Sequence, residues 1–229
     1  MKSGFLLFAL ILVVLVFGCV QVQEGLDQGT GGLGEEIKLP EPDYQGIAVE
    51  EAIKSRRSRR SYSNESLSLG ELSQLLWAAQ GITSGYKRAA PSAGATYPLE
   101  IYVVAGDVEG LEPGVYHYIP SDHSIKMVSS GDKRSDLARS AMDQVWIQNA
   151  PAGLVFTAVY ERTTGKYGER GIMYVHIEAG HAAQNVYLQS ESLNLASVFV
   201  GAFSDDMVKQ VLGIKNEPLG IMPIGHRVD

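Results

Sequence analysis

Four arginines stand within five positions, Arg56-Arg57-Ser58-Arg59-Arg60, with Lys54 just ahead of them, in a chain whose formal net charge is −7. No fold can bury five neighbouring cations without counter-charges, so this stretch must lie at a surface and meet water, carboxylates or an anion. Three readings are open. A guanidinium donates two parallel hydrogen bonds to phosphate oxygens, and Ser58 adds a shorter one, which suits a phosphate-bearing ligand. A nucleic-acid patch and a solvated, ion-paired helix end are the other two. The overall balance, 26 Asp and Glu against 19 Lys and Arg, weighs against general nucleic-acid binding, which spreads positive charge over a whole face.

The 229 residues contain one cysteine, Cys19, so neither a disulfide framework nor a thiolate metal cluster can form within one chain. Met1-Lys2 precedes an uncharged apolar run over residues 4–20. A basic end, an apolar core and a small residue make a secretory signal or an uncleaved membrane anchor. Val16-Phe17-Gly18-Cys19 resembles the lipobox of prokaryotic lipoproteins, which implies lipidation at Cys19. Either form gives membrane association through the N-terminus, with the body outside the cytoplasm of a prokaryote. Residues 21–45, rich in Gly, Glu and Gln with Pro40 and Pro42, read as a flexible linker. Residues 46–229 read as one folded domain, with no internal repeat.

Within that domain, Ser68-Leu69-Gly70-Glu71 is a capping box, followed by Leu72, Leu75, Leu76 and Ala79 on one helical face and stopped by Gly81. Ser204 caps a shorter helix that ends at Gly213. A long helix spans about 173–193, and its Ala179, Gly180, Ala182 and Ala183 allow close approach of another helix, including one from a second subunit. Apolar runs at 99–104 and 153–159 predict buried strands. Residues 115–119 and 125–128 predict a hairpin around Ser121-Asp122-His123, with further strands at 195–200 and 219–224. Helices and strands do not alternate regularly, so the expected class is α+β rather than a doubly wound parallel sheet.

The chain carries no G-x-G-x-x-G after a strand, no Walker loop and no G-x-S-x-G. Ser84-Gly85-Tyr86-Lys87 fits S-x-x-K without its supporting motifs. His176 and His181 lie five apart, about 140° around a helix, which is poor geometry for one metal; helix-packing histidines are the better reading, and no metal is expected. The segment Ala90-Pro91-Ser92-Ala93-Gly94-Ala95-Thr96-Tyr97-Pro98 runs straight into a predicted strand. Two prolines stiffen it and small residues uncover its backbone, so it suits either a flat ligand or a plain structural loop.

These motifs, taken in order over residues 50–225, resemble the FMN-dependent nitroreductase superfamily, and within it the SagB-type (thiazole/oxazole oxidase-like) dehydrogenases. The resemblance rests on Arg56-Arg57-Ser58-x-Arg60-x-Tyr62, the Leu69 to Gly81 helix, Pro91-Ser92-Ala93-Gly94 with Tyr97-Pro98, and Lys166-Tyr167-Gly168-x-Arg170-Gly171. It continues with Glu178-Ala179-Gly180-His181-x-x-Gln184-Asn185 and Val200-Gly201-Ala202-Phe203.

The resemblance implies a mostly antiparallel sheet flanked by helices, and a homodimer with FMN at the interface. It assigns Arg56, Arg57 and Ser58, with Arg60 beside them, to the FMN phosphate and ribityl chain, and leaves Arg59 as surface charge. Pro91, Ser92, Ala93 and Gly94 become the loop that the partner subunit lends to the isoalloxazine. Gly201 and Ala202 become the turn whose N–H groups face flavin N5 and O4, and Arg227 a basic residue near the phosphate. Lys166 and Tyr167 match the Lys-Tyr pair placed near substrate, as catalytic residues; an ordinary solvated cation and phenol is the other reading. The implied activity is ping-pong hydride transfer through flavin N5 on a small-molecule or peptide substrate, by azoline-to-azole or nitro/quinone-type chemistry. The alternative is a membrane-tethered flavin-binding or scaffold protein without turnover.

Overall fold

The computed structural model describes residues 32–228. The predicted signal or anchor at 1–20, its lipobox-like end, and most of the first half of the predicted linker lie outside them. In chain order the elements are β1 (Glu36–Lys38), α1 (Val49–Ser55), α2 (Leu69–Gln80), β2 (Ile82–Ser84), β3 (Lys87–Arg88), a 3-10 turn (Ala93–Ala95), β4 (Leu99–Ala105), β5 (Gly114–Ile119) and β6 (Ser124–Ser130). There follow α3 (Arg134–Ser140), α4 (Val145–Asn149), β7 (Ala152–Ala158), α5 (Glu161–Tyr167), α6 (Arg170–Ser192), β8 (Leu195–Ser197), α7 (Asp205–Leu212) and β9 (Glu217–His226).

One seven-stranded sheet in the order β1-β6-β5-β4-β7-β9-β8 forms the centre, and every pairing in it is antiparallel. The apolar runs of β4 and β7 have no alternation because both faces are covered. Ile101, Val103, Leu154 and Phe156 point to the layer of α2 and α6, packing on Leu72, Leu75, Leu76, Ala182 and Val186. Tyr102, Val104 and Val155 point to the opposite layer, against Leu137, Ile147, Val208 and Leu212 from α3, α4 and α7. The α+β expectation therefore holds, and so does the predicted hairpin, whose strands β5 and β6 are antiparallel.

The capping box at Ser68 forms in both directions: the Glu71 N–H donates to Ser68 Oγ at 3.2 Å, and the Ser68 N–H donates to Glu71 Oε2 at 2.9 Å. We expect Ser68→Ala to lose about 1 kcal/mol of stability, a shift that equilibrium urea unfolding measures directly. At the far end Gly81 is needed for close packing rather than for a left-handed turn. Its φ is −63°, and a Cβ there would stand 2.7 Å from Trp77 Cα. Ser204 occupies the N-cap position of α7, but its side chain makes no capping bond; Asp205 and Asp206 in the first turn complement the helix dipole instead. The S-x-x-K sequence is the exposed tip of the β2–β3 hairpin.

The linker reading needs correction. Glu36, Ile37 and Lys38 pair with Lys126, Ile125 and Ser124 at the sheet edge, and Leu39 is buried in the core. Beyond it, the Asp43 N–H donates to Gln74 Oε1 at 2.8 Å, and Tyr44 meets the Trp77 ring edge-on at 5.4 Å. Two adjacent apolar residues and an unpaired edge strand suffice to order this stretch, so the folded body reaches back before Gly46.

Candidate active site

The arginine run leaves the C-terminus of α1 and is held along the end of the sheet. The Arg59 N–H donates to Ser197 O at 2.9 Å, and its guanidinium reaches Glu191 Oε1 at 2.5 Å. Arg227 takes the other oxygen of the same carboxylate at 2.6 Å, and its Nε donates to Leu195 O at 3.1 Å. Burial alone would raise the Glu191 carboxyl, but the hydrogen bonds from Arg59 and Ser55 and the charges of Arg227 and Arg59 outweigh it and hold it below its ordinary value. Two sequence assignments change accordingly. Arg59 is an internal clamp rather than surface charge, and Arg227 is turned inward onto Glu191 rather than outward toward an anion.

The remaining arginines are differently placed. Among the described residues, Arg56, Arg57 and Arg60 have no carboxylate within ion-pair distance. Arg57 donates only to the carbonyls of Lys54 and Arg56. Arg60 lies 5.5 Å over the Trp146 ring, and Arg56 lies 5.1 Å over the Tyr187 ring. Tyr187 is the connecting residue that the motifs did not single out. Its hydroxyl stands 3.2 Å from Ser58 Oγ and accepts the Phe199 N–H at 2.6 Å. One side chain on α6 thus joins the arginine segment to the strand end just before Gly201.

Past Phe199, Val200 bridges to Ile221, and the chain turns outward at Gly201 and Ala202, both exposed. No atom lies within 4 Å of where a Gly201 Cβ would be, and the Ala202 carbonyl is fixed by Gln144 Nε2 at 3.1 Å. The turn borders a cavity of about 410 Å³, whose walls include Tyr160, His176, Phe199, Phe203 and Leu219.

A second cluster gathers the other predicted residues. In the segment Pro91 to Gly94, Ser92 Oγ accepts the Tyr97 N–H at 2.9 Å, and Thr96 Oγ1 meets Thr163 Oγ1 of α5 at 2.7 Å. Lys166 Nζ donates to Gly94 O at 3.4 Å. Gly94 has φ +59°, and a Cβ there would meet the ends of the Tyr167 and Lys166 side chains at 2.4 and 2.6 Å, so glycine lets both side chains close over the loop. Beneath the loop Glu178 is buried, and burial pushes its carboxyl up to about 7 against the opposing influence of Ser92 and Arg88. Pro91, Ser92, Ala93, Tyr174, Glu178 and His181 line a separate cavity of about 300 Å³. His176 and His181 accordingly serve different cavities, and among the described residues no three His, Cys, Asp or Glu side chains converge as a metal site.

Both clusters lie along α6. At 100° per residue, His176 and Ala179 mark one flank, and Tyr174, Glu178 and His181 the other. Between them runs an exposed stripe of Met173, Ile177 and Gln184, extended by Ile172.

Comparison with known proteins agrees with this architecture. The nitroreductase family model matches residues 53–226. The chain is 48% identical to a Methanocaldococcus jannaschii protein named for nitroreductase, over 199 residues that cover 86% of this chain and 100% of that protein. It is 32% identical to the trifolitoxin-processing protein TfxB of Rhizobium leguminosarum bv. trifolii, over 133 residues that cover 55% of this chain and 35% of that protein. A crystal structure from Ralstonia eutropha, also named for nitroreductase, aligns with a TM-score of 0.73 at 28% identity, covering 85% of this chain and 90% of that one. The chain belongs to the nitroreductase family.

Proposed function

We propose that this protein is an FMN-dependent oxidoreductase of the SagB-type branch, working as a homodimer. The observation that carries the reading is the Tyr187 link, which sets carboxylate-free arginines and Ser58 beside an open glycine turn. This donor set fits FMN: Arg56, Arg57 and Ser58, with Arg60 next to them, suit its phosphate, and the bare backbone at Gly201 and Ala202 suits its ring. FMN supplies the capacity to accept and return a hydride.

The half-exposed stripe on α6 supplies the dimer seam. A two-fold contact along it carries the Pro91 to Gly94 loop, Lys166 and Tyr167 of each protomer toward the Gly201 cavity of the other. There the Lys-Tyr pair would take up the proton that the substrate loses as it is oxidised, and the loop would keep water off the ring. The SagB-type resemblance, together with similarity to a trifolitoxin-processing protein, favours a peptide-borne azoline as the compound oxidised. Residues 1–20 attach the enzyme to a membrane, with the catalytic body outside the cytoplasm.

Protein lacking residues 1–20 should purify yellow and release FMN on denaturation. Anaerobic mixing with an azoline peptide, NADH or NADPH should bleach it. Colourless protein that ignores added FMN would remove the cofactor reading, and yellow protein that none of these bleaches would leave only a non-catalytic flavin carrier.

A further inference from the structure

The segment that leads from Pro91 into β4 is held in an unfavourable backbone conformation. Gly94, Ala95 and Tyr97 have φ of +59°, +55° and +46°, and two of the three are not glycine. Residues with a Cβ seldom adopt this left-handed region, so the surrounding structure must keep them there. The holding groups come from one short helix. On α5, Thr163 Oγ1 meets Thr96 Oγ1, Lys166 Nζ donates to Gly94 O, and Arg162 Nη1 donates to Tyr97 O at 3.0 Å. Arg162 and Lys166 stand one helical turn apart on the face turned to the loop, so the loop and the Lys166–Tyr167 pair form one unit. Among the described residues, one side-chain ion pair joins this unit to the central sheet: Arg162 Nη2 reaches Glu100 Oε1 of β4 at 2.5 Å. Glu100 Oε2 in turn lies 2.6 Å from His117 Nε2 on β5, whose ring stacks on Tyr102 at 4.7 Å. Burial alone would raise the Glu100 carboxyl, but the bonds from His117 and Arg162 and their charges outweigh it and hold it below its ordinary value. The carboxylate is therefore charged at neutral pH and fixed at both oxygens.

We propose that Arg162 and Glu100 are positioning residues, which together latch the strained loop and the Lys166–Tyr167 pair to the sheet as one piece. The proposal rests on the FMN reading above, in which that piece meets the ring bound by the other protomer. A guanidinium suits the role because its planar fork spans a carboxylate and a carbonyl at once. An ammonium on a flexible stem holds one such partner less rigidly. Without the latch, the left-handed backbone at Ala95 and Tyr97 loses its outer clamp and relaxes. Gly94 O then moves away from Lys166, and the pair no longer meets the substrate at a fixed distance. Because Arg162 acts through Tyr97 and α5, substrate affinity survives while turnover falls.

The test compares wild type with Arg162→Gln, Arg162→Lys and Glu100→Gln in protein lacking residues 1–20. The Arg162 side chain is 41% exposed, so its variants leave the core intact even where Glu100→Gln lowers stability. In FMN-free Arg162→Gln, amide hydrogen exchange over residues 92–97 and 161–167 should quicken together by about 10-fold, while β7 keeps its wild-type rates. With FMN bound and a thiazoline-containing peptide as the substrate probe, kcat should fall about 10- to 100-fold and KM should stay within about 2-fold. Arg162→Lys should recover part of the lost kcat. Exchange that is unchanged in both segments, or quickened equally in β7, would overturn the proposal, as would wild-type kcat in Arg162→Gln. Wild type that binds no FMN, or leaves the peptide unoxidised, would be a failure of the earlier reading alone. The exchange result in FMN-free protein then still decides whether the latch exists.

Discussion

Replacing Arg56 with alanine should weaken FMN binding by about 1.5–3 kcal/mol, roughly 10- to 150-fold in Kd, while leaving the FMN-free protein as stable as wild type. The guanidinium lies over Tyr187 and has no carboxylate partner among the described residues, so its charge is available to a ligand and little of the fold depends on it. Arg59→Ala is the informative contrast. Only three positions away, its guanidinium is already engaged with Glu191, so its loss should lower stability first and affect FMN through the fold. Fluorescence titration of FMN alongside thermal unfolding separates the two. Equal FMN affinity in Arg56→Ala and wild type would show that the anion site has been misplaced.

The second large effect concerns stability. Glu191→Gln should cost about 3 kcal/mol, because two guanidiniums then share one neutral, buried amide. For a domain of this size that lowers Tm by about 6–12 °C. The pH dependence follows from the direction of the carboxyl shift. Glu191 is held below its ordinary value in the fold, so its contribution is complete above the unfolded value of about 4.3 and disappears as pH falls through the folded one. The gap in Tm between wild type and variant should therefore be full at neutral pH and narrow in acid. A gap that stays constant from pH 7 to pH 3 would mean the carboxylate charge is not what stabilises this corner. Because Arg59 and Arg227 both end on Glu191, this corner also fixes the arginine run against β8, and the variant should bind FMN less well at temperatures near its lowered Tm.

Much of this was legible along the chain because it depends on local patterns. The box at Ser68 and Glu71 names its helix, since both hydrogen bonds are made within one turn. The apolar runs of β4 and β7 name buried strands, since both sheet faces are covered. The arginine run, the Pro91 loop and the Gly201 turn were each visible as motifs. Glu191 carried a signal that could have been read: a charge at the end of a helix face otherwise filled by Ala183, Val186 and Ser190 calls for a partner. The edge strand β1 was misread as linker because three residues flanked by glycines and prolines show no periodicity, and pairing with β6 supplies their order.

The sequence by itself determined the fold class, the positions of α2, α6 and α7, and the residue types capable of holding a phosphate and a flat ring. Only the tertiary structure decided which arginines are free to do so, because that depends on where one buried carboxylate on α6 sits relative to Arg59 and Arg227, 132 and 36 residues away along the chain. It also decided that Tyr187 joins Ser58 to Phe199, and that Tyr160 meets His176 across the cavity beside Gly201. Such contacts are set by the packing of a long helix against a sheet end, and no spacing along the chain encodes them.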